Sequence, residues 1–166
     1  MEGYLLVFKD PLSITKHGDV KYLVLTEGTL FIYSDPPNQC NSTLLQSIPL
    51  TQSRLHVVPI IHLNLFRVIV EKSKKDYTML LCMASTKKCV ESWCLRLKNW
   101  NRFCFHIPIQ CGVDTSEPEL LKKLWDDQLE NEEKSFVKQE LRKGGIPNQS
   151  FLKRSLAQLR SPAAWL

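Results

Sequence analysis

The side chains able to do chemistry are the histidines and cysteines, and they are spread along the chain instead of forming one motif. They are His17, His56, His62 and His106, with Cys40, Cys82, Cys89, Cys94, Cys104 and Cys111. A catalytic nucleophile needs a base and an orienting carboxylate within hydrogen-bond reach. No histidine in this sequence has both a Ser or Cys nucleophile and an orienting carboxylate at a readable spacing. The chain also has no P-loop and no dinucleotide-binding glycine motif. The sequence therefore predicts a protein that is not an enzyme.

A metal site is the other chemistry that these residues suggest. Cys104, His106 and Cys111 lie close together, and Cys89 or Cys94 could complete a set of soft ligands. Structural zinc sites usually contain a CxxC pair, which this chain lacks. We expect no metal and no cofactor, and we expect Cys94 to belong to the core.

The composition is that of a protein able to bury a real core. The chain has 166 residues, of which 43% are hydrophobic, and no stretch approaches the roughly 20 apolar residues of a transmembrane helix. The first residues, MEGYLLVFKD, alternate like a strand and do not resemble a signal peptide. Six cysteines without a secretion signal indicate free thiols. We expect a cytoplasmic protein that does not bind nucleic acid, because no dense basic stripe is interleaved with aromatics.

The charge is unevenly distributed along the chain. Residues 1–106 hold 13 Lys and Arg against 8 Asp and Glu, a net charge of +5. Residues 107–166 hold 9 of each, a net charge of zero. The basic excess lies entirely in the first part, which indicates an anionic partner for that part.

One amphipathic helix is predicted over residues 85–103, because its apolar residues recur at helical spacing. These are Val90, Trp93, Cys94 and Leu97. Ser85 or Thr86 could cap the first turn, since a hydroxyl accepts hydrogen bonds from unpaired amides there. A single helix after a series of strands typically covers an open end or face of their sheet.

Seven short strands are predicted upstream of this helix. They span 3–9, 20–26, 29–34, 44–50, 55–61, 65–71 and 77–83. Glu27 and Gly28 predict a tight turn, and residues 72–76 predict a charged hairpin turn. Pro49 predicts an edge strand or the end of a strand. Such a set is typical of a strongly bent antiparallel sheet or partly open barrel, capped at one end.

The order of these segments resembles that of a pleckstrin homology (PH) domain over residues 2 to about 104. The resemblance rests on Gly3-Tyr4-Leu5-Leu6, Lys21-Tyr22-Leu23-Val24-Leu25, Gly28-Thr29-Leu30, Tyr33, Ile48-Pro49-Leu50, Phe66-Arg67-Val68-Ile69 and the helical Trp93. It implies a mainly β, seven-stranded bent antiparallel barrel plugged by a C-terminal α-helix. Phosphotyrosine-binding and EVH1 modules share this architecture, so the fold alone does not select a ligand.

The resemblance also implies a lipid-binding site between the first two strands. Basic residues there converge on inositol phosphates through charge-assisted hydrogen bonds, and Lys21 occupies the position of the family's key arginine. The candidate site residues are Lys9, Lys16, His17 and Lys21. They predict an adaptor that is recruited to membrane surfaces by weak binding of anionic phospholipid headgroups or phosphoinositides.

Two departures from the family pattern keep a second function open. Val7 stands where the first lysine is expected, and Asp19 stands where a second basic residue of the next strand belongs. Lys21 also cannot make the bidentate contact of an arginine. The alternative is a protein–protein interaction scaffold that uses the barrel or the C-terminal helices and binds no lipid.

The rest of the chain, residues 107–166, is predicted to be a helical C-terminal extension of a PH-like domain at 1–106. Ser116-Glu117-Pro118-Glu119 is a helix-capping signature, and the helix it opens should end before Gly144-Gly145. A second helical segment follows from Ser150 to Ser161. One alternative is that these helices pack on the barrel or are partly mobile. The other is that they dock a protein partner through residues 117–160 or associate with a second copy.

Overall fold

A computed structural model of the chain describes residues 1–11, 18–73, 75–102 and 118–142, and of 102, 133 and 136–142 only the backbone. The strands are β1 (Glu2–Phe8), β2 (Gly18–Thr26), β3 (Thr29–Tyr33), β4 (Leu44–Pro49), β5 (Arg54–Ile60), β6 (Leu65–Ser73) and β7 (Asp76–Met83). Two α-helices follow, α1 (Lys87–Lys98) and α2 (Leu120–Arg142). Short 3-10 turns lie at Ile61–Leu63 and Trp100–Arg102. Each strand lies where the sequence predicted one.

The strands form one antiparallel sheet in the order β4-β3-β2-β1-β7-β6-β5. The two halves join where β1 meets β7, through the pairs Leu6–Met83 and Val7–Cys82. All seven strands contribute side chains to one inner core cluster, so the sheet must bend around it. The predicted fold class, mainly β with a PH-like bent sheet followed by a helix, is confirmed. Pro49 predicted an edge or a strand end, and both hold, since Pro49 is the last residue of β4 and β4 ends the sheet.

Helix α1 closes this inner core in the predicted way. Its four stripe residues are buried, and Trp93 is fully enclosed. The Trp93 ring stacks on Phe66 of β6, with ring centroids 6.3 Å apart and planes 14° apart. Thr86 is the capping residue, because its side chain accepts a hydrogen bond from the Cys89 backbone N–H. The helix is shorter than predicted, because Asn99 caps its end by donating to the Leu95 carbonyl.

The tight turn between β2 and β3 has the backbone conformation expected from its sequence. Glu27 and Gly28 both have positive φ, of 46° and 72°. A Cβ on Gly28 would lie 2.9 Å from the Trp100 ring and 2.8 Å from Thr51. The glycine therefore provides both the left-handed conformation and the close approach of the segment that follows α1.

A second cluster lies on the outer face of the sheet and includes residues of α2. Its members are Tyr4, Leu6, Phe8, Tyr22, Val24, Ile60, Leu63, Leu65, Leu81, Met83, Leu121 and Trp125. The Trp125 ring meets Phe8 edge to face, with centroids 5.1 Å apart and planes 76° apart. Of the two alternatives for the tail, packing on the sheet therefore holds for the first turns of α2. The boundary near residue 106 and the segment 150–161 lie outside the described residues and stay predictions.

Candidate functional site

Strand alternation decides on which face the candidate lysine of β2 lies. Lys21 pairs with Leu5, and Asp19 pairs with Val7, across the β1–β2 ladder. Directly opposed residues share a face of the sheet, and both Leu5 and Val7 pack in the inner cluster. Lys21 and Asp19 therefore lie on the inner face, near the end of the sheet where β1 connects to β2.

Lys9 comes directly after β1 and belongs to the same end. Its Nζ lies 3.9 Å from Oδ2 of Asp19, and the two side chains are 70% and 48% exposed. An exposed ion pair of this kind contributes about 0–1 kcal/mol, so an anionic ligand can displace the carboxylate at little cost. Lys16 and His17 lie outside the described residues, so their part in the site stays a prediction.

The structure adds two lysines that the sequence did not assign to the site. Val7 of β1 pairs with Cys82 of β7, and the strands run antiparallel. The beginning of β7 therefore lies beyond the end of β1, and the β6–β7 turn shares the end of the sheet with the β1–β2 connection. Lys72 and Lys75, both exposed, lie in or beside this turn. The charged turn was visible in the sequence, but its position required the strand order.

The lysines and aspartates at this end balance among the described residues. Four lysines lie there, namely Lys9, Lys21, Lys72 and Lys75, with four aspartates, namely Asp10, Asp19, Asp35 and Asp76. Asp35 opens the connection from β3 to β4, which holds no basic residue. Lys16 and Lys74 belong to the same connections in the sequence and make the net charge positive. The described part of this end lacks the concentrated charge of a tight phosphate site.

An open groove of about 400 Å³ lies elsewhere, between the Ile61–Leu63 turn, the residues before α1, and α2. His62, Asp127 and Glu132 are among its lining residues. The side chain of Gln128 donates a hydrogen bond of 3.2 Å to the His62 carbonyl. No group of three or more His, Cys, Asp or Glu within the described part of the chain is placed to hold a metal. The metal set built on Cys104, His106 and Cys111 lies outside that part.

The four described cysteines are free thiols with very different surroundings. Cys40 is exposed, Cys89 is half-buried, and Cys82 and Cys94 are buried. Burial raises the pKa of Cys82 to about 12 and that of Cys94 to about 11. Since the thiolate is the reactive form, burial and a raised pKa both protect these two side chains.

We expect thiol labelling to separate these cysteines. Iodoacetamide at pH 8 should modify Cys40 fully while Cys82 and Cys94 stay unmodified, and all should react in denaturant. Peptide mass spectrometry gives the extent of modification at each site. Modification of native Cys82 at a rate similar to that of Cys40 would contradict its position in the core.

Comparison with known proteins does not assign the chain to a family. No protein-family model matches the chain, and no curated protein matches it. Among solved structures, the chain is similar to the crystal structure of the DH/PH domains of p115-RhoGEF, at 17% identity and a TM-score of 0.42. The match covers 59% of this chain and 29% of the other. In the described ranges, no helix is both long and apolar enough to cross a membrane.

Proposed function

We propose that this chain is a non-enzymatic, PH-like adaptor module that associates weakly with anionic membrane surfaces through the end of the sheet carrying the β1–β2 connection. The observation that supports it is the position of the basic side chains. Lys9 and Lys21 flank this connection, and the lysines of the β6–β7 turn lie at the same end. The ligand chemistry is that of phospholipid headgroups, and the location is the cytoplasmic face of a membrane.

The balance of charges determines how this binding should behave. A lysine near an anionic membrane contributes about 1 kcal/mol, and the interaction is screened within a Debye length of about 10 Å at 0.1 M salt. Because aspartates lie among the lysines, the binding should be weak and sensitive to salt. Lys21 stands where lipid-binding PH domains have an arginine, and Val7 stands where they have a lysine. The site should therefore also discriminate poorly between phosphoinositides.

Two substitutions test the proposal by co-sedimentation with phosphatidylcholine vesicles containing phosphatidylserine, with and without phosphoinositide. Lys21→Ala should weaken binding about fivefold, which corresponds to about 1 kcal/mol. Asp19→Lys should strengthen it about 30-fold, because it removes one repulsive charge and adds one attractive charge, together about 2 kcal/mol. Binding of the unmodified chain should fade between low and physiological salt.

Matched controls change the same net charge away from this end. Lys98→Ala and Glu91→Lys, both on α1, alter exposed side chains and should change vesicle binding much less. If Lys21→Ala and Asp19→Lys are both silent, the β1–β2 end is not a lipid site.

A second candidate function is protein binding without lipid, through the barrel or the C-terminal helices. It is favoured by α2, which uses one face against the sheet and leaves carboxylates exposed on the rest. Asp126, Asp127, Glu130 and Glu132 are all exposed. If neither Lys21→Ala nor Asp19→Lys changes vesicle binding, this candidate is the one to pursue.

A further inference from the structure

The two edges of the sheet differ in how well they are protected. β5 ends one side, where α1 packs along it, and it carries the exposed Arg54 and His56 together with Pro59. β4 ends the other side and is exposed at five of its six residues, with only Ile48 buried. Charged residues, prolines and covering helices are the usual means of keeping a sheet edge from pairing with another chain. Of these, β4 has only Pro49, at its end, within the described part of the chain.

The sequence on both sides of β4 is also free of charge. No charged residue occurs from Pro36 to Ser53, in a chain of which 23% of the residues are charged. Leu44 and Leu45, each 49% exposed, add apolar surface at the beginning of the strand. Another strand that binds along β4 therefore removes no charged side chain of this stretch from water.

The backbone direction along β4 shows which groups are free. The N–H of Leu50 donates to the carbonyl of Gly28 at 2.8 Å, so residue 50 faces the β3 side. Backbone direction alternates along a strand, and Ser47 and Pro49 therefore direct their backbone groups away from β3. The missing N–H of Pro49 lies on this open side, so a strand that pairs there receives no hydrogen bond from residue 49. The Ser47 N–H and C=O remain as hydrogen-bonding groups at the open edge.

We propose that β4 pairs with β4 of a second copy of this chain, antiparallel and across a two-fold axis close to Ser47. Unpaired ladder groups are complemented by another strand, and an antiparallel strand is complementary to itself under two-fold symmetry. The absence of charge from Pro36 to Ser53 means that the copies meet without like-charge repulsion. Because β5 is protected, the assembly closes at two copies and does not grow into a fibre.

The dimer should be weak. A pair of six-residue strands buries less than the roughly 1,200 Å² of a standard stable interface. Sedimentation velocity on the full chain should therefore show a monomer at about 10 µM and a growing dimer fraction towards about 1 mM, as for a weak, transient interface. Hydrogen exchange at the two concentrations should show slower exchange of the Ser47 amide in the concentrated sample.

The decisive variant is Ser47→Lys, which places two lysines close together across the axis and should abolish the dimer, since directly opposed like charges destabilise paired strands. Gln52→Lys is the matched control, because it adds the same charge within the same uncharged stretch but outside β4, and it should dimerise like the unmodified chain. Thermal melting should show that both variants are folded.

Three results would overturn the proposal. They are an unmodified chain that stays monomeric to about 1 mM, a dimer that persists in folded Ser47→Lys, and equal loss of the dimer in both variants. If Ser47→Lys does not fold, hydrogen exchange of the unmodified chain decides. Protection of the Ser47 amide that does not change with concentration then counts against β4 pairing.

Discussion

Replacing Trp93 by alanine is expected to leave the domain largely unfolded. Trp93 is fully buried in the inner cluster and stacks on Phe66 of β6. Removing a buried aromatic side chain typically costs about 3–5 kcal/mol, against a total stability of roughly 5–15 kcal/mol. Either the melting temperature falls by about 10 °C or more, or the chain is unfolded or aggregated at room temperature. Circular dichroism melting measures the effect.

Two further variants make the interpretation specific. Leu95 lies on the same helix but is 56% exposed, so Leu95→Ala should change stability by no more than about 0.5 kcal/mol. Trp93→Phe keeps a ring against Phe66 and removes the indole N–H, a buried donor that has no hydrogen-bond partner among the described residues. It should therefore cost clearly less than Trp93→Ala. If Trp93→Ala melts within a few degrees of the unmodified chain, α1 does not close the core.

The inner core could be predicted from the sequence because its signals are local. The α1 stripe, the Thr86 cap and the Glu27-Gly28 turn each depend on residues within a few positions of one another. The strand count and the edge position of β4 followed from alternation and from Pro49. The resemblance to a PH domain then depended only on the order of these segments along the chain.

The outer face could not be predicted in the same way. Tyr4, Leu6 and Phe8 alternate with inward-facing residues, and a strand that is apolar on both faces shows only that something covers it. Which segment covers it depends on a contact between α2 and a strand more than 100 positions earlier. The apolar residues of α2 likewise fit either a docked helix or a partner-binding one.

The candidate site shows the same division between local and distant information. Lys9, Lys16, His17 and Lys21 were singled out because they flank one connection along the chain. Lys72 and Lys75 were not, because their position at that end follows from the pairing of β7 with β1. The ion pair between Lys9 and Asp19 was likewise not visible in the sequence, because it depends on the pairing of β1 with β2.

Replacing Trp125 by alanine is expected to destabilise the chain, but less than replacing Trp93. Trp125 is only 1% exposed and contacts Phe8 of β1. The loss has an upper limit, because α2 can detach while α1 still closes the inner core. The cost therefore cannot exceed the free energy with which α2 docks, and we expect about 2–3 kcal/mol, at or just below the lower limit of about 3–5 kcal/mol for buried aromatic residues.

A chain ending at Gln110 measures that limit directly. It should remain soluble and keep a cooperative melt, because the inner cluster contains no residue of α2. It should nevertheless melt at a lower temperature and bind an apolar dye, since Leu6, Phe8 and Tyr22 lose their cover. The shift in melting temperature should be at least as large as that of Trp125→Ala.

The control and the contrary outcomes separate a docked helix from an independent one. Leu120 begins α2 and is 38% exposed, so Leu120→Ala should have a much smaller effect than Trp125→Ala. If Trp125→Ala and the shortened chain both melt like the unmodified chain, α2 contributes no stability and is available for a partner. If the shortened chain fails to fold, the sheet needs α2, and the division into a PH-like domain at 1–106 and an extension at 107–166 is wrong.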